Sequence, residues 1–573
     1  MDYSKSPSLR HAHTLLVCII HIFLSNNSAF SSAQPGNRSE ADRQALLCFK
    51  SGISNDPRGV LRSWRTDSLS FCSWGGVSCS SSLPVRVVSL DLRSVQLQGR
   101  LQSCMGNLTS LVQLDLSGND ISGSIPEEIA ALPSLQTLML AGNKLAGNNL
   151  SGPIPDSLTK APLLRVLNLS MNFLTGEIPV TLFNNSSNLV TLDLQWNALA
   201  GPIPSFQKPT SLQFLGLTGN ELTGRIPASL GNVSSLNTIL LAYNALFGSI
   251  PEALGHIPIL NILDLSDNIL IGNVPYFQKT TSLQFLDLTG NILSGSIPES
   301  LGNVSSLNII LVAENNLTGS IPKTLGHIPN LNILDLRYNM LSGNVPAAIY
   351  NVSSLIYLNL GNNSLDGQIL LNTAHSLPNL MSLIMSGNRF SGMVPVSLGN
   401  MSKLQEIDLS SNLLNGSIPS LGSLSNLSRL NLGSNMLQAE DWAFLTSLTN
   451  CSRLLMLSLD GNSLEGNLPE SVGNLSRNLE RLNFRGNQIS GNIPDAIGNL
   501  VNLTLLAMDH NMLSESIPSS IGNLRNLVVL TLSANRLSGE MPSTIGNLPQ
   551  LNQLYLDDNL LSGNIPASLG QCK

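Results

Sequence analysis

The sequence predicts an α/β solenoid, in which the short strands of successive coils stack into a parallel β-sheet. The first observation is a frame, L-x-L-x-x-N-x-L-x-G-x-I-P, that recurs from about residue 90 to the end of the 573-residue chain. Its period is almost always 23 to 25 residues, which is typical of a solenoid. The second is composition: 42% of residues are hydrophobic and 11% are charged, yet no apolar run is long enough to cross a membrane. The apolar side chains must therefore be buried periodically.

The frame occurs in twenty units. Its asparagine is present in nineteen of them, and Val95 takes its place in the first unit. The asparagines are Asn119, Asn143, Asn172, Asn197, Asn220, Asn244, Asn268, Asn291, Asn315, Asn339, Asn363, Asn388, Asn412, Asn435, Asn462, Asn487, Asn511, Asn535 and Asn559. The physics of one unit therefore applies to nearly the whole chain.

The L-x-L segment of each unit predicts a strand. Side chains alternate along a strand, so Leu286 and Leu288 point into the coil while Phe285, Asp287 and Thr289 point out of it. We expect one short strand per coil, about 4.8 Å from the strands of its neighbours. A buried leucine contributes about 1.5–3 kcal/mol, which an isolated unit could not collect, so each coil requires neighbours.

The remaining letters of the frame have separate physical roles. Asn291 turns inward where the chain leaves the strand, and its amide is expected to bond backbone groups of adjacent coils. Its replacement by alanine should cost about 1–3 kcal/mol. Glycine permits a tight turn, and proline fixes φ without requiring a hydrogen-bond acceptor. The segment "SLGNVSSL" is expected to close the coil as a helical turn on the convex side.

Several carboxylates fall at the outward position of L-x-L. Because this position faces away from the coil, we expect these side chains to be solvated rather than to form an acid–base pair. They include Asp115, Asp193, Asp264, Asp287 and Asp335.

Residues 1–33 have the pattern of a signal peptide. Lys5 and Arg10 precede an apolar run at residues 15–24, and small residues follow at 31–33. So short a run cannot span a membrane core of about 30 Å. The alternative to a signal peptide is a buried helix of the mature protein. No second apolar segment follows in the sequence. We therefore expect passage through the secretory pathway to an extracellular or cell-surface location.

Glycosylation sequons agree with export. Seventeen N-x-S/T sequons follow residue 30, and sugars would make a surface so poor in charge more soluble. The alternative is that they are simply loop asparagines. The predicted glycosylation sites are Asn107, Asn232, Asn303, Asn351, Asn400 and Asn474.

Two of the seven cysteines lie close together. Cys72 and Cys79, in "CSWGGVSC", predict a small loop closed by a disulfide in an oxidising compartment. The sequence alone does not identify partners for Cys48, Cys104, Cys451 and Cys572.

At this point the sequence resembles a known family. The frame at a period of 24 residues is similar to the plant-type leucine-rich repeat, and "ADRQALLCFKSGISNDPRGVLRSW" together with "CSWGGVSC" resembles that family's N-terminal cap. The resemblance implies a cap at residues 34–84 and about twenty repeats at residues 85–573, without a C-terminal cap. It also implies a right-handed superhelix with the parallel sheet on its concave face.

The cap also has a physical interpretation, since the first coil would otherwise expose its apolar edge. Five residues of this segment are expected to cover that edge: Leu46, Leu47, Phe49, Trp64 and Trp74.

A second resemblance concerns "EDWAFLTSLTNCSRL" at residues 440–454. It is similar to a segment of plant immune receptor-like kinases of the class that senses bacterial flagellin and elongation factor, in which a membrane helix and a serine/threonine kinase follow the ectodomain. Neither is present here. The resemblance implies a plasma-membrane receptor in plant defence, with an extracellular peptide or protein ligand and a co-receptor that has leucine-rich repeats. Because the chain stops where the next strand should begin, we expect a truncated receptor whose membrane contact lies in a missing segment.

Two duplications depart from the regular frame. "AGNKLAGNNL" at residues 141–150 is a five-residue tandem duplication, and we expect the extra residues to bulge from one loop while the strand register resumes. Residues 204–274 and 275–345 match at an offset of 71 residues, which is three coils. Solenoids lengthen by such steps without disturbing a distant core.

Motifs for catalysis are absent from the sequence, including nucleophile-elbow, zinc-protease, dinucleotide, Walker and kinase signatures. His256 and His327 occupy the same place in the two 71-residue copies, three coils apart, and so cannot share a metal ion. A net charge of −7 without a basic run argues against nucleic acid as a partner. We expect no enzyme activity, no cofactor and no metal.

The concave face is therefore the predicted functional surface, and exposed aromatic side chains are the usual anchors of such surfaces. Phe214, Phe285 and Tyr357 lie nearest the strand start, so packing against neighbouring side chains is an equally good interpretation for these three. The predicted ligand-binding aromatics are Trp196, Phe214, Tyr243, Phe285, Tyr338 and Tyr357, with Leu240 and Leu311 beside them.

A second predicted patch contains Arg481, Arg485, Asp509 and His510 and suits an acidic terminus of a peptide. The favoured function is a receptor ectodomain that binds a peptide or protein and then recruits a partner receptor. The alternative is a secreted inhibitor of cell-wall-degrading enzymes, another role of such repeats.

Overall fold

The computed structural model describes residues 37–67, 70–130, 132–142, 149–184, 188–207, 210–278, 282–371, 377–439 and 441–571. The chain forms two compact units, of which unit 1 ends at Ile292 and unit 2 begins at Leu293. The predicted signal peptide, residues 143–148 of the tandem duplication, and Cys572 lie outside the described residues.

The L-x-L segments form parallel strands in both units, as predicted. The sheet that they build in each unit is called the LxL sheet below. In unit 1 its strands are β3 (Val87–Asp91), β5 (Gln113–Asp115), β7 (Thr137–Met139), β9 (Val166–Asn168), β11 (Thr191–Asp193), β13 (Phe214–Gly216), β15 (Thr238–Leu240), β17 (Ile262–Asp264) and β19 (Phe285–Asp287). In unit 2 they are β21 (Ile309–Leu311), β23 (Ile333–Asp335), β25 (Tyr357–Asn359), β27 (Ser382–Ile384), β29 (Glu406–Asp408), β31 (Arg429–Asn431), β33 (Met456–Ser458), β35 (Arg481–Asn483), β37 (Leu505–Ala507), β39 (Val529–Thr531) and β41 (Gln553–Tyr555).

The register of these strands follows the repeat. Leu263 pairs with Leu286 in unit 1, and Leu334 pairs with Leu358 in unit 2. All four leucines are fully buried. Stacking like residues on like residues therefore gives each unit a continuous leucine core.

A second strand forms in most coils, so the prediction of one strand per coil was wrong. After the asparagine the chain stays extended through x-L-x-G, and its backbone groups bond the next coil, as where Phe247 N donates to Gly224 O at 2.9 Å. These strands build what we call the LxG sheet. They are β4 (Gln98–Arg100), β6 (Asp120–Gly123), β8 (Asn149–Gly152), β10 (Phe173–Glu177), β12 (Ala198–Pro202), β14 (Glu221–Thr223), β16 (Phe247–Ser249), β18 (Ile269–Gly272), β20 (Ile292–Leu293), β22 (Thr318–Gly319), β24 (Met340–Asn344), β26 (Ser364–Gly367), β28 (Arg389–Met393), β30 (Leu413–Ser417), β32 (Met436–Ala439), β34 (Ser463–Asn467), β36 (Gln488–Gly491), β38 (Met512–Leu513), β40 (Ser538–Glu540) and β42 (Leu560–Ser562).

Helices form in the N-terminal segment, and short helices lie in most coils between an LxG strand and the next LxL strand. The α-helices are α1 (Asn37–Ser51), α2 (Glu127–Ala130), α3 (Thr181–Asn184) and α4 (Ala443–Ser447). The 3₁₀-helices are Val60–Ser63, Phe71–Ser73, Ser103–Asn107, Asp156–Lys160, Ala228–Asn232, Glu252–His256, Glu299–Asn303, Lys323–His327, Ile349–Asn351, Val396–Asn400, Leu448–Asn450, Glu470–Asn474, Asp495–Asn499, Ser519–Asn523, Ser543–Asn547 and Ala567–Gln571. None of the helices among the described residues is long and apolar enough to cross a membrane.

The N-terminal segment covers the first coil. Strand β1 (Ile53–Asn55) pairs antiparallel with β4, and β2 (Val77–Cys79) pairs antiparallel with β3. Of the residues predicted to cover this edge, Leu47 is half-buried, and the fully buried ones are Leu46, Phe49, Trp64 and Trp74. The rings of Trp64 and Trp74 stack with their centroids 5.6 Å apart. Aromatic packing therefore closes the apolar end of the solenoid.

Two disulfides hold this segment. The predicted bond between Cys72 and Cys79 is present, and Cys48 bonds Cys104. Among the described cysteines only Cys451 is free, and it is buried.

The asparagines within the described residues form the predicted ladder inside each unit. In unit 1, Asn291 Nδ2 donates to Leu265 O of the preceding coil at 3.0 Å and to Leu288 O of its own coil at 3.2 Å. Its Oδ1 accepts from Leu270 N at 3.0 Å. The side chain is only 8% exposed. One amide therefore satisfies backbone groups of two coils that water does not reach.

The tandem duplication leaves both sheets of unit 1 continuous. Strand β7 pairs with β9 in register, Leu138 opposite Leu167, and β6 pairs with β8, Gly123 opposite Leu150. The prediction that the register resumes is therefore confirmed, although the duplicated residues 143–148 lie outside the described residues.

The coil after Asn435 contains an extra helix where the usual glycine and proline are missing. Trp442, which precedes α4, has a left-handed φ of 55° and is 3% exposed. Its indole Nε1 donates to Glu465 O at 3.0 Å, and its ring stacks on Phe444 at a centroid distance of 5.8 Å. The departure from the frame is thus absorbed into the core of unit 2.

Candidate ligand-binding face

The residue before each ladder asparagine has a distinctive backbone. In unit 1 Trp196, Tyr243 and Asp267 have φ values between 50° and 54°, and glycines such as Gly219 and Gly290 hold other copies of this position at φ 69° and 65°. The left-handed turn rotates the asparagine inward and the preceding side chain outward. It costs a residue other than glycine about 1–2 kcal/mol. This position therefore presents side chains to solvent at some expense in stability.

Trp196 and Tyr243 form an exposed aromatic pair on the LxL sheet of unit 1. They are 40% and 45% exposed, and their ring centroids lie 6.0 Å apart. Gly219 occupies the same position in the coil between them, and a Cβ placed there would lie 2.4 Å from Cε3 of Trp196. The absence of a side chain at Gly219 therefore allows the indole to lie across that coil toward Tyr243.

Asp267 continues this row in the next coil of unit 1. It is exposed, and its carboxylate forms a hydrogen bond with the hydroxyl of Tyr243. Partial burial, together with the negative charge of Asp267, raises the pKa of Tyr243 to about 12. Below Asp267 lies Gly290, where a Cβ would be 2.7 Å from Oδ1 of Asp267. Asp267 was not among the predicted ligand-binding residues, although its place directly before Asn268 is the signal that marks Trp196 and Tyr243.

The outward carboxylates of L-x-L are buried, so the prediction that they are solvated was wrong. They are between 1% and 7% exposed. The carboxylate folds back to accept the N–H two residues later, as where Thr289 N donates to Asp287 Oδ1 at 2.9 Å. The set is Asp115, Asp193, Asp264, Asp287 and Asp335.

Burial changes the acidity of these groups. It raises the pKa of both Asp193 and Asp335 to about 6. In unit 1, burial first and then the nearby charge of Asp264 raise the pKa of Asp287 well above its usual value. These carboxyls therefore hold protons at a higher pH than solvated aspartates do.

The three aromatics nearest the strand start are less exposed than Trp196 and Tyr243. Phe214 and Phe285 are half-buried in unit 1. Tyr357 in unit 2 is 4% exposed, and Asn359 Nδ2 donates to its hydroxyl at 2.9 Å. The packing interpretation therefore holds for Tyr357, which offers a ligand little surface. Leu240 and Leu311, expected beside the aromatics, are also buried.

Tyr338 is the exposed aromatic of the LxL sheet at the start of unit 2. It is 47% exposed at a left-handed φ of 50°. The preceding Arg337 lies between two carboxylates, with Nη2 3.2 Å from Glu314 Oε1 and Nη1 3.3 Å from Asp335 Oδ2. The charges beside Tyr338 are therefore paired within the protein.

Three residues of the second predicted patch, Arg485, Asp509 and His510, are in contact in unit 2. Arg485 Nε and His510 Nδ1 each lie 3.0 Å from Asp509 Oδ2, and Thr531 Oγ1 donates to Asp509 Oδ1 at 2.6 Å. Arg481 is exposed on the same strand segment as Arg485. The buried Asp509 thus holds the exposed Arg485 and His510.

The six predicted glycosylation sites share one location. Each is the last residue of a 3₁₀-helix, and each is exposed. They lie in these helices rather than in the LxL strands, so sugars there would be attached away from the exposed aromatics. Glycosylation itself stays a prediction for Asn107, Asn232, Asn303, Asn351, Asn400 and Asn474.

A metal centre is not apparent, because no group of three or more His, Cys, Asp or Glu side chains that could hold an ion occurs within the described residues. The LxL sheets present exposed aromatic and charged side chains.

Comparison with protein families identifies the repeats. The leucine-rich repeat N-terminal domain matches residues 39–80, and leucine-rich repeat families match residues 85–145 and eleven further segments between residues 163 and 572. These segments cover the cap and most of both units.

Solved plant receptors share the fold over nearly their full length. The plant peptide hormone receptor RGFR1, in complex with RGF2, is 34% identical with a TM-score of 0.76, over 87% of this chain and 85% of that chain. The Arabidopsis receptor kinase HAESA, in complex with the peptide hormone IDA and the co-receptor SERK1, is 33% identical with a TM-score of 0.72, over 92% of this chain and 95% of that chain.

Curated relatives match over shorter segments. The LRR receptor-like serine/threonine-protein kinase EFR of Arabidopsis thaliana is 42% identical over 105 residues, which is 18% of this chain and 10% of that protein. The matched segments span 8% to 13% of the length of such relatives. The chain belongs to the leucine-rich repeat family, in the class formed by the ectodomains of plant receptor-like kinases. No catalytic domain is present in the part of the chain that the structure describes.

Proposed function

We propose that this chain is an extracellular ectodomain of a receptor that binds a peptide or protein on its LxL sheet. The observation that supports this most strongly is the exposure of Trp196 and Tyr243 at left-handed positions, where the fold itself would favour glycine. Aromatic side chains held in this way provide large contact areas with little loss of rotamer freedom. These positions therefore lower the stability of the chain while exposing rings that a partner can contact.

The similarity to RGFR1 and HAESA supports a peptide as the ligand, because both were solved with peptide hormones. HAESA was also solved with SERK1, which supports a co-receptor for this chain. We accordingly propose a location at the cell surface, with attachment to the plasma membrane through a membrane segment of a longer form. Several LxL strands offer contacts to one extended ligand.

The patch of Arg481, Arg485 and His510 is proposed to bind an acidic group, such as the C-terminal carboxylate of a peptide. Arg485 is oriented by Asp509, and Arg481 adds a second guanidinium on the same strand segment. Guanidinium groups bind carboxylates through paired hydrogen bonds. Replacement of both arginines by glutamine should weaken a peptide with a free C-terminus and leave its amidated form unaffected.

We also propose a role in pathogen perception and defence signalling. Its support is the relationship to EFR and the similarity of residues 440–454 to immune receptors. That segment contains the buried Trp442, so it supports membership of the class through a feature of the core rather than through a ligand contact. Swapping this chain into a full-length receptor with a defence readout, and applying bacterial extracts, would test this role. A response only to plant-derived peptides would contradict it.

The main test uses peptides selected from a random display library on the immobilised secreted chain. Alanine at Trp196, Tyr243 and Tyr338 together should weaken the selected peptides by about tenfold or more. Phe173→Ala is the matched control, because Phe173 is 62% exposed on the LxG sheet of unit 1. Unchanged affinity in the triple variant would place the binding surface elsewhere.

A further inference from the structure

The outward positions of strands β11 to β19 have an unusual charge distribution. These positions, together with the second and third residues after each strand, contain four carboxylates and no lysine or arginine. The carboxylates are Asp193, Asp264, Asp267 and Asp287. A surface of one sign attracts a partner of the other sign.

We propose that this part of unit 1 binds an arginine or lysine side chain of the ligand, with the cation on the exposed rings of Trp196 and Tyr243 and paired with Asp267. The proposal rests on the proposed function, because it assumes that a peptide lies on the LxL sheet. It adds the chemistry of the residue that the peptide must contain.

The aromatic pair provides one half of the recognition. A cation is attracted to the face of a tryptophan or tyrosine ring within about 6 Å of its centroid. The centroids of Trp196 and Tyr243 are 6.0 Å apart, and both rings are more than a third exposed. One cation above the pair can therefore contact both rings. The methylene groups of its side chain then cover the apolar edges of the rings.

Asp267 provides the other half. Its carboxylate forms a hydrogen bond with Tyr243, so it is held beside the ring, and the missing side chain at Gly290 leaves room for it. A carboxylate has about four acceptor sites, so the bond with Tyr243 leaves capacity for a guanidinium or ammonium group. Asp267 is the exposed carboxylate of this surface, whereas Asp264 and Asp287 are buried beneath it.

The 71-residue duplication provides an internal comparison. Asp264 corresponds to Asp335, and Ser266 corresponds to Arg337. In unit 2, Arg337 lies within 3.3 Å of both Glu314 and Asp335, so the protein itself supplies the cation. In unit 1 the corresponding Ser266 donates its hydroxyl to Asp264 at 2.7 Å and carries no charge, so this copy of the surface contains no cation of its own.

A neutral oligosaccharide is the other occupant that aromatic rings could accept. A neutral sugar gains no ion pair with the carboxylate of Asp267, whereas a guanidinium or ammonium group does. The excess of carboxylates without any basic side chain therefore favours a cationic peptide over a sugar.

The test compares peptides selected from a random display library on the wild-type chain and on the Asp267→Asn variant. On the wild type we expect enrichment of Arg or Lys at one position of the selected peptides, and replacement of that Arg by its neutral analogue citrulline should weaken binding by about tenfold. Asp267→Asn should weaken the Arg peptide by a similar factor and the citrulline peptide little. Asp267→Glu should restore part of the loss.

Matched controls come from unit 1. Glu221→Gln removes an exposed carboxylate from the LxG sheet and should change neither peptide's affinity. Thermal melting of each variant checks that Asp267→Asn remains folded. The citrulline peptide tests the proposal on the unmodified chain, and so does not depend on the folding of a variant.

Three outcomes would overturn the proposal. Selected peptides that depend on Trp196 and Tyr243 without basic enrichment would leave the proposed function intact and remove this inference. Peptides whose affinity is unchanged by alanine at both rings would contradict both. Binding of a cell-wall oligosaccharide that requires Trp196 and that the Arg peptide does not displace would assign the rings to a sugar.

Discussion

The LxL sheets of the two units use the same scaffold with different surface charge. In unit 1, Asp264 Oδ1 accepts a hydrogen bond from Ser266 Oγ at 2.7 Å, and no basic side chain lies among the outward residues of β11 to β19. In unit 2, the corresponding Asp335 lies 3.3 Å from Arg337 Nη1. The inward residues Leu265 and Leu336 are fully buried in both. Outward positions can therefore change their chemistry while the core that supports them stays constant.

This comparison separates scaffold from surface. The ladder asparagines should be energetically alike in the two units, whereas the outward residues should differ in pH dependence and in the ligands they accept.

The largest expected effect comes from the ladder. Asn268 in unit 1 and Asn339 in unit 2 each donate to three carbonyl oxygens and accept one N–H, with all four distances between 3.0 and 3.2 Å. Asn268→Ala and Asn339→Ala should each lower the free energy of unfolding by about 3 kcal/mol, because buried backbone groups lose their partner. Denaturant unfolding of each variant measures this. A large loss in one unit and none in the other would show that the scaffold is not shared.

The next effect is on pH dependence. Burial raises the pKa of Asp193 to about 6, so this group stabilises the fold fully below the pKa of an unfolded aspartate, near 4, and that stability is lost as the pH rises through about 6. The free energy of unfolding of the wild type should therefore fall between pH 4 and pH 7. In Asp193→Asn, which cannot ionise, that decrease should be smaller by about 2 kcal/mol.

Unfolding of wild type and Asp193→Asn across this pH range is the measurement. Asp335→Asn gives the same test in unit 2, where Arg337 favours the ionised form and so opposes the effect of burial. Parallel stability curves for wild type and variant would contradict the assignment of a raised pKa to either group.

A smaller effect is expected from exchanging the surface residues of the two copies. Ser266→Arg places beside Asp264 the side chain that unit 2 has at Arg337, and should weaken an Arg-containing peptide by about tenfold, or about 1.4 kcal/mol. Ser266→Thr keeps the hydroxyl and is the control. Isothermal titration with the same peptide measures both variants, and equal affinities for them would contradict the importance of charge in unit 1.

The smallest effect concerns the backbone that both units share. Ala534 occupies the position before Asn535 with a φ of 51°. Ala534→Gly should raise the free energy of unfolding by about 0.5–1 kcal/mol, because glycine adopts this conformation without strain. The control is Ala507→Gly, at a buried position of β37 that has no left-handed backbone, and it should be destabilising. Destabilisation by Ala534→Gly would show that the turn imposes no strain.

Much of the scaffold could be predicted from the sequence because the repeat fixes it. The frame leucine and asparagine, such as Leu286 and Asn291, determine which side chains of each unit point inward. Stacking of the units then determines the strand register. The LxG sheet was missed because x-L-x-G has one buried leucine, such as Leu270, and its strand depends on backbone hydrogen bonds that side-chain periodicity does not report.

The surface was predicted less completely. Alternation placed Asp264 and Tyr357 outward, but whether an outward side chain reaches water depends on the side chains of the adjacent coils, which cover both. The left-handed turn had a signal in the glycines at positions such as Gly219 and Gly290. Recognising it would have identified Asp267 together with Trp196 and Tyr243.

The central claim is that the ligand lies on the exposed rings of the LxL sheet in unit 1. Hydroxyl-radical footprinting with mass spectrometry, with and without a selected peptide, measures this directly, because oxidation of Trp196 and Tyr243 reports their access to solvent. We expect both rings to become protected while Phe173 on the LxG sheet, which is 62% exposed, is oxidised at an unchanged rate. Protection of Phe173 with no change at Trp196 and Tyr243 would contradict the account.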